Sequence, residues 1–187
     1  RWIDLLLAVL MLIPFCVFFI PIAAIIKLTD KGKIFYKQTR IGQDGQIFFI
    51  YKFRTMITNA EQNGPQFTSA NDKRVTKFGK FLRISRLDEL PQAFNILKNE
   101  MSFIGPRPER PEFVLDLQKI MPYYNARHLI KPGLTGWAQV NYQYTDSLEG
   151  NLIKLQYDLF YIKNRSFLLD ALTILKTFNA IIKKTGR

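Results

Sequence analysis

Apolar and polar positions along the chain fall into three regimes. From Leu5 to Ile26 all 22 residues are apolar or proline, with no charge among them. At about 1.5 Å per residue a helix of that length reaches roughly 33 Å, enough to cross the hydrocarbon core of a bilayer. Pro14 sits in the middle and Pro21 further on; each lacks a backbone donor and crowds the preceding turn, which predicts a break or kink. Two placements suit this segment: a spanning helix, or a re-entrant helix broken near Pro14 that dips into one leaflet and returns. Arg1 and Asp4 precede the run and Lys27, Lys31 and Lys33 follow it, so a re-entrant helix would set both ends at one basic, cytoplasmic interface. No small-residue cleavage pattern follows, which argues against a cleaved signal peptide. Cys16, inside the run, reads as a small buried hydrophobe.

The second regime is alternation. Ile34 to Gln38 and Gln46 to Arg54 are rich in aromatic and β-branched residues, and Asp44-Gly45 between them is a turn signal, predicting a β-hairpin that carries Lys52 and Arg54. Residues 57 to 72 are polar, with Gly and Pro, and read as a loop free to move over a site. The third regime is helical spacing. Val75, Phe78 and Leu82 share one stripe, Leu87, Leu90, Phe94 and Leu97 another, and a short helix is predicted through Val114 to Ile120. MSFIGPRPERPEF reads as an extended proline-rich loop and KPGLTGWAQVN as a turn around an apolar patch. The basic, amphipathic tail SFLLDALTILKTFNAIIKK suits a membrane interface or the core.

Composition narrows the chemistry. The 187 residues carry 27 Lys plus Arg against 15 Asp plus Glu, a formal net charge of +12, which points to an anionic partner: nucleic acid, acidic lipid or a phosphorylated substrate. A hydrophobic fraction of 48% excludes a disordered basic tail. One Cys and one His, His128, exclude a disulfide framework, a thiolate zinc site and a two-His metal triad. Neither a P-loop nor a G-x-G-x-x-G fingerprint occurs. His128 reads as a surface residue and Trp137 as core or interfacial belt.

Asp88-Glu89 is the most informative pair. The stripe through Leu87, Leu90 and Phe94 leaves both carboxylates off the buried face, and Pro91 suits a first helical turn, which places Asp88 near a helix N-terminus, where anions are favoured. Ser85-Arg86-Leu87-Asp88 also fits a capping box, so capping alone competes as an explanation. The neighbourhood shifts the balance: Arg83 and Arg86 flank the pair, Arg107 is held between Pro106 and Pro108, and Lys52 and Arg54 end a strand. A carboxylate attacks phosphorus only when the phosphate's charge is neutralised, and guanidinium groups do this bidentately.

The ordered set KFRTM, SRLDELPQAFNIL, MSFIGPRP and KPGLTGWAQVN, after an apolar segment with a central proline, resembles the bacterial sugar transferases, the monotopic polyprenyl-phosphate phosphoglycosyl transferases, over nearly the whole chain. The resemblance implies an α+β, mainly α fold: a re-entrant anchor over residues 1–27, broken at Pro14, and a compact cytoplasmic catalytic domain over 28–187 with a small hairpin and amphipathic interfacial helices. It implies transfer of a sugar 1-phosphate from a UDP-sugar to undecaprenyl phosphate, with Mg2+, at the cytoplasmic face of the bacterial inner membrane. Asp88 would be nucleophile and magnesium contact, and Glu89 its assistant. Arg54, Arg83, Arg107 and Lys52 would bind phosphate. Inner-membrane lipids become partners, nucleic acid does not, and a homo-oligomer is left open. Many family members follow GWAQVN with Gly-Arg-Asn; Tyr142-Gln143-Tyr144 stands here, as in the exopolysaccharide branch, removing that Arg contact. The competing functions are a non-enzymatic basic scaffold on anionic lipid and a membrane-tethered nucleic-acid-binding module, although no nucleic-acid motif is present.

Overall fold

The computed structural model describes residues 1–62, 64, 72–142 and 147–182. It is mainly helical, with two small sheets. Helix α1, Trp2–Asp30, is the one helix among the described residues long and apolar enough to cross a membrane. It passes through Pro14 and Pro21 as one continuous element, so the interruption expected at Pro14 is not visible in it; each proline removes a single donor, and the neighbouring hydrogen bonds carry the helix on. Cys16 is exposed rather than buried, on a face of α1 that it shares with the exposed Ile13, Val17 and Ile20.

Strands β1, Phe35–Ile41, and β2, Ile47–Phe53, form the expected antiparallel hairpin, with Phe35 opposite Phe53 and Ile41 opposite Ile47. Asp44 and Gly45 take left-handed φ of 54° and 75° in its turn, a conformation that Asp and Gly tolerate better than other residues. Helix α2, Lys77–Ile84, begins at Thr76, whose hydroxyl accepts from Gly79 N at 2.9 Å. A methyl group on Gly79 would lie 2.0 Å from Thr55 O, so only glycine lets α2 approach the end of β2 this closely.

The stripe through Leu87, Leu90 and Phe94 does not form one helix. Leu87–Gln92 is a 3-10 helix containing Pro91, and it runs into α3, Ala93–Leu97. Beyond it lie β3, Ser102–Ile104, and α4, Pro111–Ile120. A 3-10 turn over Tyr124–His128 then leads to β4, Gly133–Thr135, and α5, Trp137–Asn141. KPGLTGWAQVN is therefore a strand and a helix rather than a turn, with β4 parallel to β3 in the register Ser102 to Gly133 and Ile104 to Thr135. Helices α6, Leu148–Lys163, and α7, Phe167–Ile182, complete the fold. Residues 63 and 65–71 of the polar loop 57–72, together with Gln143 and Tyr144, lie outside the described residues.

α1 is built into this fold rather than standing apart from it. Ala8 packs with Phe48, Ile50, Ile96 and Met101, while Ile22 and Ile26 pack with Phe53, Leu82 and Leu90. Phe15 and Phe19 lie against Phe53, with ring centroids 5.8 and 6.4 Å away. Polar ties hold both ends: Asp4 Oδ1 accepts from Ser102 Oγ at 2.7 Å and Phe103 N at 2.9 Å, and Arg1 donates to Ile96 O at 2.9 Å. At the other end Asp30 Oδ2 accepts from Thr58 Oγ1 at 2.5 Å. One face of α7 stays bare, with Phe167, Leu168, Leu172, Leu175 and Phe178 exposed.

Candidate active site

The acidic pair sits where β2, α2 and the 3-10 helix meet. Arg86, just before that helix, has φ 60°, a left-handed conformation costing a non-glycine residue about 1 kcal/mol; it turns the chain sharply out of α2. With three residues per turn, position 88 stacks over position 91, and Asp88 is buried with Pro91 beneath it. The expectation that both carboxylates stay off the buried face therefore fails for Asp88, which is 7% exposed. Phe94, on the expected buried stripe, is instead 38% exposed, with an edge contact to Phe15 at 5.3 Å. The 3-10 spacing over Leu87–Gln92 rotates these side chains away from the faces that α-helical spacing gives them.

Capping does not account for the pair. Ser85 Oγ donates to Phe81 O at 2.9 Å and Leu82 O at 3.1 Å, and the 3-10 helix has no side-chain cap. Asp88 Oδ1 is buried without a hydrogen-bond partner, a costly arrangement in a folded chain and a common mark of a functional group. Burial, followed by the charge of Glu89, raises the Asp88 pKa to about 6 against the pull of Lys52, Arg83 and Arg86. Burial pushes Glu89 the same way, but Lys52, Arg107 and Arg86 outweigh it and bring its pKa down to about 2. Lys52 Nζ donates to Glu89 Oε1 at 2.6 Å. Glu89 is thus committed to an ion pair while Asp88 is held back, and neighbouring carboxylates with pKa values pushed apart suit division of labour.

Three devices align these groups. Asn95, fully buried, accepts from Tyr51 N at 3.1 Å and donates to Phe49 O at 2.7 Å, satisfying the free edge of β2 and clamping α3 to it beside Lys52. Arg83 Nε donates to Thr55 Oγ1 at 2.9 Å, and burial lowers its pKa while Asp88 sustains the charge. Arg107 projects from a loop whose start at Gly105 packs backbone against backbone on β4 and the residue after it: a methyl group on Gly133 would lie 2.1 Å from Gly105 N, and one on Gly136 2.1 Å from Gly105 O.

Asp88, Glu89, Lys52, Arg83, Arg86 and Arg107 therefore form one electrostatic cluster. Its four cations exceed its two acids by two charges, the charge carried by a diphosphate diester. Arg54 is placed elsewhere. It follows the end of β2, where strand alternation no longer sets direction, and lines a small hollow with Ile26, Asp30 and Thr76. His128 lies in a second hollow with Asp44, Gln118 and Asn125; burial, then the charge of Arg127, brings its pKa down to about 4, which keeps it neutral in the neutral range. No group of three His, Cys, Asp or Glu capable of holding a metal occurs among the described residues. Sequence reasoning missed Asn95, whose only signal was an amide within an apolar stripe, and the buried Arg127–Asp158 pair, 2.7 Å apart, whose partners are distant in sequence.

The family model for bacterial sugar transferases matches residues 1–184, and the chain belongs to that family. It is 44% identical over its full length to a UDP-N-acetylgalactosamine-undecaprenyl-phosphate N-acetylgalactosaminephosphotransferase of Aeromonas hydrophila, covering 44% of that protein. It is 41% identical over 93% of its length to a UDP-glucose:undecaprenyl-phosphate glucose-1-phosphate transferase of Xanthomonas campestris, covering 37% of it. The chain thus spans less than half of these curated relatives. It covers 86% of the exopolysaccharide production protein ExoY of Sinorhizobium fredii, at 35% identity.

Proposed function

We propose that the chain transfers a sugar 1-phosphate from a UDP-sugar to undecaprenyl phosphate, yielding UMP and undecaprenyl-diphosphate-sugar, as the first membrane step of exopolysaccharide or other glycoconjugate assembly. The observation that carries this reading is Asp88: a buried carboxylate with one unpartnered oxygen, among cations that exceed the acids around them. Relatives named as transferases of this kind support it. A scaffold or a nucleic-acid module would gain nothing from burying an unsatisfied acid.

Arg83, Arg86, Arg107 and Lys52 neutralise the diphosphate, and Asp88 attacks the phosphorus bearing the sugar. The bond from that phosphorus to the oxygen bridging the two phosphates breaks, UMP leaves with the bridging oxygen, and a phosphosugar ester remains on Asp88. A phosphate oxygen of the lipid then attacks the same phosphorus and restores the carboxylate. UMP leaves as a phosphate anion, so neither displacement needs a proton delivered to its leaving group. Glu89 keeps Lys52 charged and in place. Asp88 Oδ1 fits a magnesium ion held by one carboxylate and the substrate phosphates, and when bound that ion supplies further neutralisation of phosphate charge.

Membranes or detergent micelles containing the protein are expected to release UMP from a UDP-sugar when undecaprenyl phosphate and Mg2+ are supplied. Only ionised Asp88 is nucleophilic, so the rate is expected to halve near pH 6, the value to which its pKa is raised, and to fall about tenfold per pH unit below. No nucleotide release from any UDP-sugar would refute the reading.

The anchor is read as re-entrant, with the catalytic unit at the cytoplasmic face of the inner membrane. Hydrogen bonds from both ends of α1 to one folded unit support this. With Cys16 replaced by serine, a cysteine at the exposed position of Ile3 is expected to react with an impermeant maleimide only from the cytoplasmic side. Labelling from the periplasm would mean that α1 spans the membrane.

A further inference from the structure

The loop carrying Arg107 is bonded along its main chain. Pro106 O accepts from Gly133 N at 2.9 Å, Arg107 O from Arg127 Nη2 at 3.0 Å, Pro108 O from Arg40 Nη1 at 2.8 Å and Glu109 O from Ile41 N at 3.0 Å. The bond to Arg107 itself comes from a buried side chain. Arg127 is 7% exposed, Asp158 2% and Tyr124 3%. The Arg127 guanidinium makes two more bonds, from Nη2 to Asp158 Oδ2 at 2.7 Å and from Nη1 to Tyr124 Oη at 2.8 Å.

An ion pair at this depth is a poor source of net stability, because removing two ions from water offsets most of their attraction, and apolar residues of equal volume often hold a fold as well. What apolar residues cannot supply is the planar fork, whose fixed donors hold several acceptors in one geometry. Here the fork joins α6 through Asp158 and the Tyr124–His128 turn to the carbonyl of Arg107, the loop residue whose charge acts on Glu89 and Lys52. The neighbouring Arg40–Glu109 pair, 3.5 Å apart, braces the same loop from β1.

Resting on the transfer reading above, in which Arg107 binds the donor's diphosphate, we infer that Arg127 and Asp158 are positioning residues for the reaction: they lock the Arg107 main chain so that its guanidinium is aimed at the reacting phosphate before the donor arrives. Neither touches substrate. Their effect on rate passes through Arg107, and this separates positioning from a general structural role.

A double-mutant cycle on the full chain reads this directly. Arg107→Ala is expected to lower kcat about 100-fold, the scale for losing one donor to a developing charge. Arg127→Lys keeps a cation for Asp158 but loses the fork, and is expected to lower kcat about 10-fold by letting the loop shift. The double variant is expected to be no slower than Arg107→Ala alone. A loss of about 1000-fold, the product of the two, would mean that Arg127 acts independently of Arg107 and would overturn the inference, as would an Arg127→Lys variant with unchanged kcat. Asp158→Asn, which preserves shape and an acceptor oxygen, provides a second cycle with the same expectation should Arg127→Lys fold poorly. Wild-type nucleotide release is measured alongside. A silent wild type refutes the transfer reading, whereas an active wild type with multiplying losses refutes the positioning role alone.

Discussion

Asp88→Asn is expected to end nucleotide release while making the protein harder to unfold. Loss of a nucleophile whose cationic surroundings remain intact costs about 10^3-fold or more in kcat. The stability gain follows from linkage. The folded-state pKa of Asp88 is raised from 3.8 to about 6, so the folded chain holds this proton more tightly than the unfolded chain does. Its contribution to stability is complete below the unfolded value and is lost as pH rises through about 6. Above that pH the wild type carries the cost of a buried, incompletely paired charge, on the order of 1–3 kcal/mol, which asparagine removes. Thermal unfolding in detergent is expected to show Asp88→Asn melting several degrees higher at pH 7.5, about 2–4 °C for each kcal/mol gained, with the gap closing near pH 4. A variant melting at the wild-type temperature across that range would show that the carboxylate is not strained in the free protein.

Lys52→Met is expected to lower both activity and stability, and the two losses separate. Removing the lysine leaves Glu89 without its partner at 2.6 Å, at a place where the two side chains are only 17% and 12% exposed. Breaking a fully buried pair costs about 3–5 kcal/mol, and residual solvent here reduces that to about 2–3 kcal/mol. The sign with pH is opposite to that of Asp88. Glu89, with its pKa lowered from 4.5 to about 2, contributes stability above its unfolded value and loses it as pH falls towards 2. The deficit of Lys52→Met is therefore expected to be largest near neutrality and to shrink in acid, where Glu89 protonates. Adding Glu89→Gln is expected to restore the melting temperature, because no unpaired charge remains. Activity is expected to stay about 10^2-fold down, since the phosphate loses a cation. Recovery of both would mean that Lys52 serves the fold alone.

Motif order, the hairpin and the cation-flanked acidic pair could all be read from local chemistry, because each depends on residues close in sequence. Asp44-Gly45 named its own turn. The face of Asp88 could not be read: it depends on a 3-10 rather than α-helical spacing over Leu87–Gln92, a choice made by tertiary packing with Pro91 inside. β4 was missed because three residues are too few to show alternation. Arg54, one residue past the end of β2, lines a hollow with Ile26 and Asp30, a placement set by residues distant in sequence. Asn95 and Arg127 act through bonds to residues 44, 46, 20 and 31 positions away, and no local pattern encodes such reach.

The seating of α1 has a practical corollary. Ala8, Ile22 and Ile26 complete the same clusters that hold Phe48, Phe53 and Leu82, so a chain trimmed of its apolar segment is expected to expose that core to water. It would open a trench under the hairpin, on the flank from which Lys52 reaches Glu89. The apolar helix is thus part of the packing beneath the acidic pair as well as an apolar surface, and any detergent that holds this protein in solution has to leave that packing intact.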